Sequence, residues 1–342
     1  MLVNFNHKEN TLSVNQSISF VNNTGKILDT IYLSDWSNSY SSIKTPLAQR
    51  FGEEYDRSFF LSKKSKLGNT KINYIRAQDE ELKWNRLRNQ PDIISVIPQK
   101  PLKVDEVFKF NLVYIIKIPD AKFNRYGYDQ KGNIFLRNWH IILNQYQNGK
   151  WLNYSNLDLD DFSPIPAKYE LRIYGQDQFQ TDLNLKLVKK ENQVQYFRGI
   201  DIKELMLSLS LEDQFESFYT TGENSVVTDI FTKVNRDESE RIINTIDKFI
   251  GENLINKKNK KYLVPKLMYE KNPFFGLNDL PDFLAPFDID FLAEISYLKA
   301  FLHFYLNSNT NFDLRKNHWI IGGLQTYFII KYIEEFHPNQ KF

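Results

Sequence analysis

Not one of the 342 residues is cysteine, which excludes disulfides, thiolate metal sites and a cysteine nucleophile. No apolar run approaches the ~18 residues of a membrane-spanning helix. The opening "MLVNFNHKEN" also lacks the basic-then-apolar profile of a signal peptide. Charge of one sign is missing too. The net value is +2, and the lysine-rich "NKKNKKY" at 256–262 reads as a solvated loop, so nothing forms an electrostatic footprint for nucleic acid. There is no Gly-x-Ser-x-Gly, no phosphate-cradling Gly-x-x-x-x-Gly-Lys, no internal repeat and no low-complexity tract. The acidic stretch "NLDLDDF" at 156–162 lacks the glycine and terminal glutamate of a calcium loop and reads as an acidic edge turn.

What is present is the composition of a folded globular chain, 42% hydrophobic and 25% charged. The length predicts one large or two medium domains. The first two hundred residues read as β. In "TLSVNQSISFV" the residues Leu12, Val14, Gln16, Ile18 and Phe20 alternate, and turn residues follow from Asn22 to Gly25. Further strands are expected at 71–76, 93–97, 106–117, 133–143, 168–174 and 182–188. Short strands at this spacing predict an antiparallel β-sandwich or saddle domain over 1–203.

The period changes after residue 203. "DESERIINTIDKFIGENL" sets Ile242, Ile243, Ile246, Phe249 and Ile250 on one helical stripe, with Asp237 as the expected N-cap. "KYLVPKLMY" reads as a short buried strand. A helix is expected from Asp288 or Asp290 through "FLAEISYLKAFLHFYLN", and another through "NHWIIGGLQTYFIIKYIEEF", stopped by Pro338. Strands followed by a sheet with helices predict an α+β unit over 204–342. The 27 Phe, 19 Tyr and 5 Trp belong mostly to cores, with Tyr126, Tyr128, Trp139 and Trp151 as candidates for a partner or peptide surface.

Two stretches carry a family likeness. Trp319, Gly322, Gly323, Leu324 and Tyr327 lie on the last helix, downstream of a lone His303 in "KAFLH". This arrangement resembles the aminopeptidase N-like zinc metallopeptidases (gluzincins), especially divergent Bacteroidetes-type members. In that family His-Glu-x-x-His on one helix and a Glu on the next hold zinc, and the first Glu deprotonates the attacking water. The resemblance implies a β domain followed by part of a thermolysin-like α+β domain. It also implies a bacterial envelope or periplasmic setting, on which the N-terminus itself is silent. Laid on this sequence, the pattern puts Lys299 at the first His, Ala300 at the catalytic Glu, His303 at the second His and Gly322 at the third ligand. "NPFFGLNDLPDF" is similar to the family's amine-gripping Gly-x-Met-Glu-Asn loop, with Gly276 at its glycine and Asp279 at its glutamate. The family's transition-state tyrosine lies beyond the third ligand and has no counterpart before Phe342.

Two readings of His303 stay open, a satisfied core residue or a remnant metal ligand, with His140, His318 and His337 as recruitable partners. Lys299 either snorkels to the surface or pairs with a carboxylate such as Asp279. Without the glutamate base and two of three ligands, the expected protein is an inactive aminopeptidase-like chain without cofactor that binds a peptide or protein partner. The alternatives are an active zinc metallopeptidase with a rearranged site and a fragment of a longer metallopeptidase-like protein.

Overall fold

A computed structural model describes residues 1–123, 126–157, 164–174, 178–211, 214–254, 259–271, 273–274, 287–310 and 313–340. The fold is mixed α+β, with extensive sheet and, among the described residues, five α-helices. The chain divides into two compact units, residues 1–181 with 187–211, and residues 182–186 with 212–342.

The first unit is built on an eight-stranded sheet. Its spatial order is Lys186–Glu191, Val194–Ile202, Ala167–Tyr174, Leu2–Asn6, Thr11–Val21, Val107–Lys117, Asn69–Ala77 and Glu80–Glu81. The alternation read at Leu12 to Phe20 is real, because Leu12, Val14, Gln16 and Phe20 are buried while the serines between them face water. The eight-stranded sheet is mixed, because Leu2–Asn6 pairs parallel with Ala167–Tyr174, while a second sheet, antiparallel throughout, joins Ile142–Leu143, Ile31–Ser34, Gln90–Ile97 and Lys83–Leu87. Helix α1 (Pro46–Glu53) starts with Thr45 accepting a hydrogen bond from the Ala48 N–H and Pro46 in its first turn. Tyr40 stacks on Tyr126 at 4.9 Å and Phe59 on Phe123 at 4.3 Å. Tyr126 and Trp139 are therefore core residues, 2% and 0% exposed, and not the partner surface expected of them.

Two buried carboxylates in this unit come with partners. Asp35 takes Arg86 at 2.6 Å and the Thr70 hydroxyl at 2.7 Å. Asp92 accepts from the Ser155 hydroxyl and the Asn156 N–H, and burial still raises its pKa to about 6. The acidic residues after Asn156 lie outside the described residues.

In the second unit Ser225–Thr228 pairs antiparallel with Glu216–Tyr219 and parallel with Lys261–Val264. Helix α2 (Arg236–Asn253) buries the predicted stripe of Ile242, Ile243, Ile246, Phe249 and Ile250. Its N-cap is Asn235, which accepts from the Glu238 N–H at 2.9 Å; the expected cap Asp237 sits inside the first turn. Pro265 ends the strand of "KYLVPKLMY", and the remainder forms α3 (Lys266–Lys271) instead of continuing it. Helix α4 (Ile289–Asn309) starts directly after Asp288, one of the two expected starting points, and α5 (Leu314–Phe336) stops before Pro338. In the first half, the strand expected over 133–143 is two, Ile134–Arg137 and Ile142–Leu143. The one expected over 182–188 falls on a junction between Gln180–Leu183 and Lys186–Glu191. In both places a change of sheet interrupts an alternation that sequence alone does not mark.

Gly127 has φ +132°, and a Cβ there would lie 2.1 Å from the Pro119 carbonyl oxygen. Gly127→Ala is expected to lose at least about 2 kcal/mol in urea unfolding. A loss below about 0.5 kcal/mol would show that the Pro119 turn relaxes freely.

Candidate functional site

Helix α4 is apolar around almost its whole circumference. Between Phe291 and Leu306 every side chain is buried except Leu292, Lys299 and His303. Lys299, His303 and Asn307 follow one another at single-turn spacing, so the helix keeps one line with access to water. Burial lowers the Lys299 pKa below its ordinary value. The Asn307 side-chain amide lies 3.1 Å from His303 Nε2, and an amide nitrogen can only donate, so Nε2 is the acceptor. Ala300 is 2% exposed and packs in the apolar cluster with Tyr297, Phe301 and Tyr332.

Helix α5 runs antiparallel to α4. Two side-chain contacts set the register: Gln325 donates to the Lys299 carbonyl at 2.6 Å, and the Tyr332 hydroxyl donates to Glu294. Leu306 shares a small cluster with Leu314 and Ile321 at the other end. Gly322, one turn before Gln325, is thereby placed level with His303. It is exposed, and a Cβ there would meet no atom within 4 Å. Three of the four positions singled out in the sequence, Lys299, His303 and Gly322, thus share one region of the α4–α5 pair. Ala300 adjoins them but points into the core. Gly276 and Asp279 lie outside the described residues.

These residues do not fit a catalytic zinc ion. Such a site needs three protein donors around one open position. The four positions offer one imidazole, whose Nε2 already accepts from Asn307, together with an ammonium and two side chains without a donor atom. Among the described residues no group of three or more His, Asp or Glu side chains could hold a metal ion.

The other histidines are placed elsewhere. His318 is exposed and adjoins Asn317, whose φ of −125° breaks the helical path. His337 lies with its Nε2 3.2 Å from Glu294 Oε2 and its ring edge-on to Phe291 at 5.0 Å. That approach is an ion-pair distance without hydrogen-bond alignment. His140 belongs to the first unit, is 1% exposed and meets the Tyr169 hydroxyl at 3.0 Å. Burial pushes its pKa down to about 3, so it is a neutral core histidine.

One cluster escaped the sequence reading. Glu294 is 3% exposed on α4, bonded to Tyr332 and facing His337. It lines a cavity of about 560 Å³ with Lys233, Glu238, Arg241, Asp288 and His337. Arg241 is held by Glu238 through two hydrogen bonds of 2.8 and 2.5 Å. The available signal was an acid in the middle of an otherwise greasy helix.

No family model matches the sequence. No curated protein matches it either. Solved structures do resemble the chain. An M1 zinc metallopeptidase from Deinococcus radiodurans aligns at TM-score 0.56 and 12% identity, over 98% of this chain and 68% of its own. A glutamate-to-alanine mutant of an M1 zinc metallopeptidase from the same organism, bound to a Tyr-Ser-Ala substrate, aligns at TM-score 0.55 and 12% identity, over 98% and 69%. An aminopeptidase N family protein from Idiomarina loihiensis gives TM-score 0.41 at 10% identity, over 77% of this chain and 38% of its own. At these identities the two Deinococcus structures establish the fold alone: the chain is folded like an M1 metallopeptidase.

The packing makes opposite forecasts for two neighbouring replacements. Gly322→Glu should hold stability or gain up to about 1 kcal/mol, because an exposed helical glycine is replaced by a better helix former. Ala300→Glu should lose about 3 kcal/mol or more, because it puts a carboxylate among aromatic rings. Equal effects in thermal unfolding would contradict the two environments.

His140 sets a pH dependence. The folded imidazole stays neutral down to about pH 3, whereas the unfolded one protonates near 6.5. Its contribution to stability is therefore complete above 6.5 and is lost as pH falls toward 3. Asp92, raised to about 6, acts in the opposite direction, so the comparison must be with a variant. His140→Gln should flatten the unfolding free energy between pH 6 and 4 by about 1.4 kcal/mol per pH unit relative to the unaltered chain. Identical slopes would mean that the ring protonates in the folded state.

Proposed function

We propose that this chain is a catalytically silent M1 metallopeptidase-like protein that works by binding a polypeptide partner and not by cutting it. The observation that carries this reading is the donor set on α4 and α5. Where the family pattern has two imidazoles and two carboxylates, this chain has His303, Lys299, Ala300 and Gly322. The ammonium of Lys299 stands one helical turn from the imidazole and repels a divalent cation. Ala300 offers nothing to take a proton from water, and general-base assistance alone is worth on the order of 10²–10⁴ in rate.

The test combines metal content with activity. After loading with zinc and dialysis, the chain should retain less than about a tenth of an equivalent. It should also show no chelator-sensitive hydrolysis of aminoacyl p-nitroanilides. One equivalent of zinc together with chelator-sensitive release of nitroaniline would establish the peptidase and remove the binding-only reading.

A further inference from the structure

The eight-stranded sheet buries one face and turns the other to solvent. Val3, Leu12, Val14, Leu112 and Leu171 line the core side. On the solvent side the cross-strand pairs form rows, successive rows lying two residues, or roughly 7 Å, apart along the strands. The rows can be followed along Thr11–Val21. Thr11 stands opposite Lys117 and Ser19 opposite Lys109. Between them Ser13 is in line with Lys71 through Ile115, Asn15 with Arg172 through Leu2, and Ser17 with Arg76 through Asn111. None of these residues is buried.

Every one of these rows carries a cation. Opposing charge is scarce, because the strands Leu2–Asn6, Thr11–Val21, Asn69–Ala77 and Val107–Lys117 contain no Asp or Glu. At the margins Glu170 takes Lys168 at 3.0 Å and approaches Arg198 at 4.0 Å, and Glu81 stands opposite Arg76. The net charge of +2 conceals this face, since its cations come from strands far apart in sequence. Cations also cover two of its tyrosines. Arg76 lies 4.3 Å from the Tyr74 ring centre, and Arg172 and Lys189 lie 5.4 and 4.5 Å from that of Tyr196.

We propose that this face docks an extended acidic segment of another polypeptide, laid along the strands with a carboxylate at every second residue. Charge complementarity selects an anion. Row spacing selects its shape, because alternate residues of an extended chain repeat at roughly 7 Å, the interval between rows. The short side chains of Asn4, Ser13 and Asn15, on the strands between Arg172 and the lysines, offer donors and acceptors to a peptide backbone. The covered tyrosine rings leave little for a nucleic-acid base to stack on. The face belongs to the first unit, and metal binding at the α4–α5 positions does not bear on it.

Two peptides of equal composition and charge test the row match. One alternates threonine and glutamate over ten residues; the other has five threonines followed by five glutamates. Only the first sets all its carboxylates on one side when extended. With a rhodamine label, at about 50 mM salt, the alternating peptide should bind at least about fivefold more tightly by anisotropy. Lys71→Glu with Lys117→Glu should weaken that binding at least about tenfold. The same charge change on α2 and α3, Lys248→Glu with Lys266→Glu, should shift it by less than about twofold. Equal binding of the two peptides overturns the row match. Equal losses in the two double variants overturn the face as the site. Tighter binding of decathymidylate, or of vesicles containing about a third phosphatidylglycerol, overturns the polypeptide as occupant. No binding at millimolar peptide overturns the docking itself.

Discussion

The burial of α4 on nearly every side governs what the second unit can present to solvent. A helix that is apolar all round must be covered all round, and here α2, α3, α5 and the strand Lys261–Val264 all contact it. Between Phe291 and Asn307 the only breaks are Leu292 and the line of Lys299, His303 and Asn307. Chemistry on α4 is confined to that line. Antiparallel packing then decides which part of α5 stands beside it. Gln325 reaches the Lys299 carbonyl and Tyr332 reaches Glu294, and this register sets Gly322 about level with His303.

Glu294 shows what such burial demands of a charged group. A carboxylate taken out of water is costly unless hydrogen bonds and opposite charge replace the lost solvent. Tyr332 supplies the bond and His337 lies within ion-pair distance, while Arg241 adds positive field from α2. The same carboxylate raises the Tyr332 pKa, after burial itself. Asp35 and Asp92 follow the same rule in the first unit, one through Arg86 and Thr70, the other through Ser155 and Asn156. All of these partners are distant in sequence, which is why a linear reading finds the acids but not their company.

Periodicity carried most of what was legible. The alternation at Leu12 to Phe20 and the stripe from Ile242 to Ile250 match the buried faces because one period implies one covered side. Local chemistry was less decisive. Asn235 and Asp237 are both good caps, and only the backbone at Asn235, with φ −67° and ψ 156°, selects between them. At Pro265 the apolar character continues while the strand cannot, so composition misled where the missing N–H decided. The family-like positions could be aligned from "KAFLH" and the Trp319–Tyr327 segment, but their environments could not. Nothing in the sequence distinguishes a buried Ala300 from an open Gly322.

That difference bears on how the frame persists with these side chains. A structural metal contributes folding energy directly, and small domains that rely on one unfold without it. The second unit has another source of stability. Phe249, Phe301, Tyr297, Tyr332 and their neighbours form one apolar cluster around α4, and each large side chain removed from water contributes about 1.5–3 kcal/mol. Ala300 is itself part of that cluster, so its methyl group serves packing where a carboxylate would oppose it. At Gly322 no atom waits for a side chain. The α4–α5 pair is therefore determined by contacts that involve no ligand donor, and the fold places no demand on the four positions to be able to hold an ion.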